Sequence, residues 1–275
     1  MANALKLPPM GLGTWQLSPE QAKFSTIKAV EIGYRFIDTA QAYKNEQGVG
    51  EGLQEIFQHT TIKRSDLIVA TKVDVFNLKP KKVKPTVEIS LQKLQLEYVD
   101  LLYVHWPAKF SGYQPEKTLK VFSDLVDEGK VKHIAVSNFS IALLEEALAV
   151  CPKPIVANQV EHHPLLQQTK LREYLHQKQI HLIAYSPLAR GEIHGIPEIE
   201  NLAKKYQTGA AQISLAWLMA HNAIPIPKAT SEAHLRSNFT ACQLKLEPAD
   251  IEIINGIKIQ KRLLNPPVVK PKKWD

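Results

Sequence analysis

Short apolar runs alternate along nearly the whole chain with longer stretches in which apolar residues recur every three or four positions. The runs predict strands at 36–38, 67–71, 99–104, 132–136, 155–159, 181–185 and 223–226, with GLGTW at 11–15 as the first. The wider spacing in PEQAKFSTIKAVEIG, PTVEISLQKLQL, SIALLEEALAV and TGAAQISLAWLMAHN predicts amphipathic helices between them. Eight strand-helix units of this size fit a closed α/β architecture, the (β/α)8 or TIM barrel, better than an open sheet. The opening segment, with ALKLPPM, predicts a short cap over the bottom of the barrel. NPPVVKPKKWD at the C-terminus predicts a loop over the rim where barrel active sites lie.

Length and composition agree with one barrel domain spanning residues 1–275: 44% hydrophobic content supplies a sizeable core. The N-terminus has no basic stretch followed by a long apolar one, and no apolar run approaches a membrane span, so a cytoplasmic protein without a membrane partner is expected. Cys151 and Cys242 stand far apart and away from metal-ligand spacings, which suits reduced thiols. The net charge of +7 raises the question of nucleic acid, but the lysines gather mainly at 78–85 and in the tail, without interleaved aromatics. A solvated basic face, mildly attractive to anionic small molecules, is the expectation, and nothing in the chain demands more than a monomer.

Asp38 and Tyr43 in FIDTAQAYKNE, Lys72 in IVATK and His105 in LLYVHWP end three successive apolar runs, which in a barrel brings them to the catalytic rim. Reduction of a carbonyl needs such a set. Hydride arriving at the carbon leaves an alkoxide, and a phenol such as Tyr43 can protonate it. An ammonium at Lys72 would lower the phenol's pKa, Asp38 would keep that ammonium charged, and a neutral His105 would orient the carbonyl. Singly, each residue has an ordinary role: Asp38 as a helix cap, Lys72 in a salt bridge, Tyr43 in packing, His105 as a satisfied interior histidine. The specificity lies in the set.

Neither GLGTWQ at 11–16 nor GVGEGL at 48–53 makes a dinucleotide fingerprint: the first has Gln16 where a third glycine is needed, and the second does not follow a strand. Glu161, His162 and His163 offer metal-binding side chains. Adjacent histidines on an extended segment point opposite ways, however, and the four-residue set leaves a metal no task, so no metal is expected.

FIDTAQAYKNE, TK, VHWP, VSNF, NQVE, AYSPL and IPKATSEAHLRSN follow the order and approximate spacing of the aldo-keto reductase family, which this chain resembles over nearly its whole length. It looks most similar to the short bacterial members called 2,5-diketo-D-gluconate reductases, and its Trp274–Asp275 ending resembles their B-type branch. The resemblance implies a reductase of aldehydes and ketones, with 2,5-diketo-D-gluconate or methylglyoxal-type dicarbonyls as candidate substrates and Tyr43, Lys72, Asp38 and His105 as the catalytic set. It implies a nicotinamide held by Ser137, Asn138 and Gln159 and stacked on Tyr185. Ser186, Pro187 and Leu188 would follow the pyrophosphate, Thr14 and Trp15 would flank the ribose with Asp38 close by, and Lys228, Ala229, Thr230, His234 and Asn238 would surround the adenine end.

Lys228 matches a lysine that contacts the 2′-phosphate, which favours NADPH. Ala229 and His234 stand where the family usually has serine and arginine, so NADH is expected to be tolerated, with Thr230, Ser231 and Arg236 as substitutes for the missing groups. Trp15, Tyr43, His105 and Trp106 would line the substrate pocket. Asp74 replaces a usual aromatic; facing the pocket it would disfavour acidic sugars, and facing solvent it would mean little. Arg190 and the tail lysines are candidates to attract a carboxylate. The rival to a reductase is a barrel that binds the nucleotide without turnover, as a regulatory partner.

Overall fold

The computed structural model describes residues 5–275. Among them, eight strands pair in sequence order, every neighbour parallel. They are β1 (Leu12–Gly13), β2 (Phe36–Asp38), β3 (Ile68–Val73), β4 (Val99–Val104), β5 (Val131–Ser137), β6 (Ile155–Glu161), β7 (His181–Tyr185) and β8 (Ala223–Pro225). The first and last meet: Gly11 N–H donates to Pro225 O at 3.0 Å and Gly13 N–H to Pro227 O at 3.1 Å. The sheet is therefore a closed (β/α)8 barrel, as its periodicity predicts.

Two apolar layers hold it. Inward-facing Phe36, Ala70, Leu101, Tyr103, Ala135, Ala157, Ile183, Ile224 and Ile226 fill the barrel, large residues beside small ones. The outward faces pack against the helices in a second, larger core. Leu5 and Leu7 lie against the inner cluster, and Leu5 O meets His181 Nε2 at 3.0 Å, so the described part of the opening segment caps the bottom. Residues 1–4 of that expected cap lie outside the described residues.

Element ends depart from expectation where charge interrupts an apolar run. Lys72 lies inside β3 instead of after it, because its side chain turns into the barrel and the strand continues to Val73. β6 likewise runs on through Glu161. The helix expected from Pro85 begins at Pro80, whose fixed φ suits a first helical position, and Pro85 sits within it. GVGEGL belongs to the helix Glu46–His59. A Cβ on Gly48 would collide with the carbonyl of Pro19, and one on Gly50 with the backbone at Lys93 and Leu94, so these glycines let three neighbouring helices approach closely.

Replacement Gly48→Ala is expected to cost about 1–3 kcal/mol through overpacking. Urea denaturation should show a lower midpoint with an unchanged slope.

Candidate active site

The C-terminal ends of the strands open into a cavity of about 610 Å³. Asp38 closes β2, and its carbonyl accepts from Thr14 N–H at 3.1 Å and Thr14 Oγ1 at 2.9 Å, which fixes the end of β2 against β1. Tyr43 rides on a 3₁₀ turn, Gln41–Tyr43, ended by Lys44 in the left-handed region (φ 57°). That turn is clamped by Gln41. Its amide donates to Thr86 O and Ser90 Oγ, both at 3.1 Å, and its Oε1 accepts from Asp74 N–H and Asn77 Nδ2, both at 3.0 Å. Asn45 performs the same office behind it, donating to Thr14 O at 2.8 Å and Leu17 O at 3.0 Å. Neither residue stands out in the sequence, since isolated polar side chains there read as loop.

The four residues meet. Lys72 Nζ, fully buried, donates to Asp38 Oδ1 at 2.5 Å, to Thr39 O at 3.0 Å and to Tyr43 Oη at 3.2 Å. The Tyr43 and His105 rings stand edge to face at 5.7 Å. Burial pushes the Asp38 carboxyl up and the Lys72 ammonium down in pKa, and each draws the other back toward its charged form. Burial also raises the Tyr43 phenol well above its ordinary value, with the Asp38 charge adding to it, so the lowering anticipated from Lys72 does not prevail. His105 is depressed to about 3, by burial first and then by the Lys72 charge, and is neutral at ordinary pH.

A polar chain continues from Asp38. Gln159 Nε2 donates to Asp38 Oδ2 at 2.7 Å. The Gln159 carbonyl accepts from Ser137 Oγ and Asn138 N–H, both at 2.9 Å. Asn138, at φ 65°, donates from Nδ2 to His105 O at 3.1 Å, and its Oδ1 accepts from Tyr185 Oη at 2.8 Å. Trp15, Trp106, Ser186, Pro187, Leu188 and Lys228 also line the cavity with these residues. Leu264 and Pro266 of the tail close one side. Arg190 lines the cavity too, its guanidinium 4.7 Å from the Trp15 ring centroid.

Several expected residues lie elsewhere. Asp74 is outside the lining; its carboxylate caps the next turn, accepting from Phe76 N–H at 2.9 Å. Ala229, Thr230, His234 and Asn238 are also outside it, at the start of and along the helix Glu232–Thr240. Ser231 Oγ caps that helix at His234 N–H, and Arg236 is held by Glu232 at 2.6 Å, so neither group stands free. Glu161 serves the tail: its buried carboxylate accepts from Leu263 N–H at 2.6 Å and Leu264 N–H at 2.8 Å and meets His163 Nε2 at 3.0 Å. Among the described residues no three His, Cys, Asp or Glu side chains are grouped to hold a metal.

Residues 9–259 match the model of the aldo/keto reductase family. The chain belongs to that family. This aldo/keto reductase is 36% identical over 272 residues to methylglyoxal reductase DkgB of Escherichia coli O157:H7, covering 98% of the chain and all of that protein. It is also 36% identical to a 9,11-endoperoxide prostaglandin H2 reductase of Trypanosoma cruzi, with 95% and 91% coverage. Among solved structures, one provisionally named 2,5-diketo-D-gluconic acid reductase B superposes with a TM-score of 0.91 at 32% identity, covering 98% of this chain and 94% of that one. The aldo/keto reductase is accordingly an oxidoreductase acting on carbonyl groups.

His105 and His162 both have imidazoles depressed from 6.5 to about 3, with burial the leading cause. The unfolded chain takes up protons below pH 6.5 that the folded one refuses, so stability is full above that pH and falls as pH drops toward 3. Urea midpoints measured at steps over this window should decline, and His162→Gln should make the decline shallower.

Proposed function

We propose that the protein reduces aldehydes and ketones to alcohols with NADPH, Tyr43 acting as the general acid. The observation that carries this is a single ammonium, Lys72 Nζ, bonded at once to the Asp38 carboxylate and the Tyr43 hydroxyl at the floor of one cavity. Burial keeps Tyr43 protonated, the form an acid must have before reaction. As its proton passes to the carbonyl oxygen, the Lys72 contact at 3.2 Å stabilises the phenolate left behind. Asp38 holds Lys72 in place and charged. Neutral His105 stands beside Tyr43 as a second polar group for the same oxygen. Trp15 and Trp106 give the substrate apolar walls, which suits small aldehydes and dicarbonyls of the methylglyoxal or 2,5-diketo-D-gluconate kind.

The cavity residues fit a nicotinamide dinucleotide. Ser137, Asn138 and Gln159 supply amide-matching donors and acceptors beside the Tyr185 ring, and Arg190 and Lys228 line the same channel with no ion pair among the described residues. When bound, the nicotinamide supplies the hydride for the carbonyl carbon. Lys228 favours a 2′-phosphate, while Arg236 is engaged by Glu232 and His234 offers less than arginine, so we infer NADPH with NADH tolerated. Two unpaired cysteines fit a cytoplasmic setting.

Absorbance loss of NADPH, and separately of NADH, with methylglyoxal, a simple aromatic aldehyde and 2,5-diketo-D-gluconate tests the proposal. Tyr43→Phe should lower turnover by about 10²–10⁴-fold with near-normal NADPH binding. Substantial turnover in that variant would remove Tyr43 as the acid, and nucleotide binding without turnover on any carbonyl would favour a regulatory barrel. His234→Arg should raise the NADPH-to-NADH preference about tenfold; an unchanged ratio would separate His234 from the phosphate.

A further inference from the structure

Tyr103 is the large polar side chain of the inner barrel layer that the proposed chemistry leaves unused. It is fully buried, paired in register with Lys72 on β3 and with Ala135 on β5, and Ala135 in turn pairs with Ala157. The two alanines leave room for the ring inside the barrel. Lys72 Nζ lies 5.5 Å from its centroid, within reach of a cation–π attraction. Yet the Tyr103 hydroxyl makes no well-formed hydrogen bond: the Gln159 side chain acts on it, but that amide is committed to Asp38 Oδ2 at 2.7 Å. A phenylalanine would supply the same ring without that cost, so an orphan hydroxyl beside a functional site calls for a partner in another state.

The neighbours identify that state. Asp38 Oδ1 is held by Lys72, and Asp38 Oδ2 by Gln159 Nε2 at 2.7 Å. The Asp38 charge and the Gln159 side chain both act on the Tyr103 phenol, in opposite senses beneath the dominant effect of burial, which sets the hydroxyl in their company. On the reading above, Gln159 turns its side chain to a nicotinamide carboxamide. That movement would strip Oδ2 of its donor in a water-free interior, which is costly unless another donor replaces it.

We propose that Tyr103 is a positioning residue whose hydroxyl takes over Asp38 Oδ2 when Gln159 turns to the nicotinamide. The exchange keeps Asp38 ionised and Lys72 in place while the carboxamide is held. An acceptor about to lose its donor and a hydroxyl without a well-formed bond then stand beside the same ion pair. The proposal rests on the nicotinamide reading, since it needs Gln159 to leave Asp38.

Titration of wild type and Tyr103→Phe with NADPH and with 2′-phospho-ADP-ribose, the same nucleotide lacking its nicotinamide, tests it without turnover. The variant should bind NADPH about tenfold more weakly and 2′-phospho-ADP-ribose as well as wild type does. In a Gln159→Leu background, where Tyr103 is free to serve Asp38 in both states, the Tyr103→Phe penalty should vanish. The free variant should melt at or above the wild-type temperature, because it loses an unbonded hydroxyl. Equal weakening toward both nucleotides, no weakening, a penalty that survives in the Gln159→Leu background, or a lower melting temperature would overturn the proposal. The two-nucleotide comparison stands even if the Gln159→Leu protein does not fold. Failure of wild type to bind either nucleotide would overturn the nicotinamide reading and this proposal together, whereas wild-type binding with an unaffected variant would overturn the role of Tyr103 alone.

Discussion

Lys72 and Asp38 form an ion pair at 2.5 Å in the interior of a barrel otherwise filled with apolar side chains. Removing two charges from water costs several kcal/mol each unless every polar atom finds a partner. Here the remaining ammonium protons go to Thr39 O and Tyr43 Oη, and the second carboxylate oxygen accepts from Gln159. The pair therefore fixes the placement of the proposed acid, the end of β2 and the polar chain toward Asn138 and Tyr185. Breaking one member leaves its partner as an uncompensated buried charge.

The barrel was legible because its eight apolar runs recur along the chain with helical spacing between several of them, although helices such as Glu46–His59 carry no pattern that marked them. Asp38, Tyr43, Lys72 and His105 were legible as a set because their chemistry makes sense together, and in the structure Asp38, Tyr43 and His105 line one cavity while Lys72 is buried behind them. Strand ends failed where a buried charge, Lys72 or Glu161, continued a strand past the end of its apolar run. Gln41, Asn45 and Tyr103 were illegible for a different reason. Their roles depend on residues in other strand-helix units, and no local pattern marks a residue whose partners lie 28 or more positions away.

Asp74 shows the reverse case. The sequence left it between pocket and solvent, and in the structure its short acidic side chain takes a nearer partner, the N–H two residues on. The adenine end differs again. There Ser231 and Arg236 look available as substitutes until Ser231 is seen capping a helix and Glu232, one turn earlier, is seen holding Arg236.

The tail that walls the cavity is fastened at two unequal points. Near its start the amides of Leu263 and Leu264 are tied to the fully buried Glu161, and at its end the Asp275 carboxylate caps the helix Ile141–Val150 at the solvent-exposed Ile141 N–H, 3.0 Å away. Water competes at the second point and not at the first. The segment is thus tied more firmly at the barrel than at the surface, and fraying on heating is expected to start from Asp275.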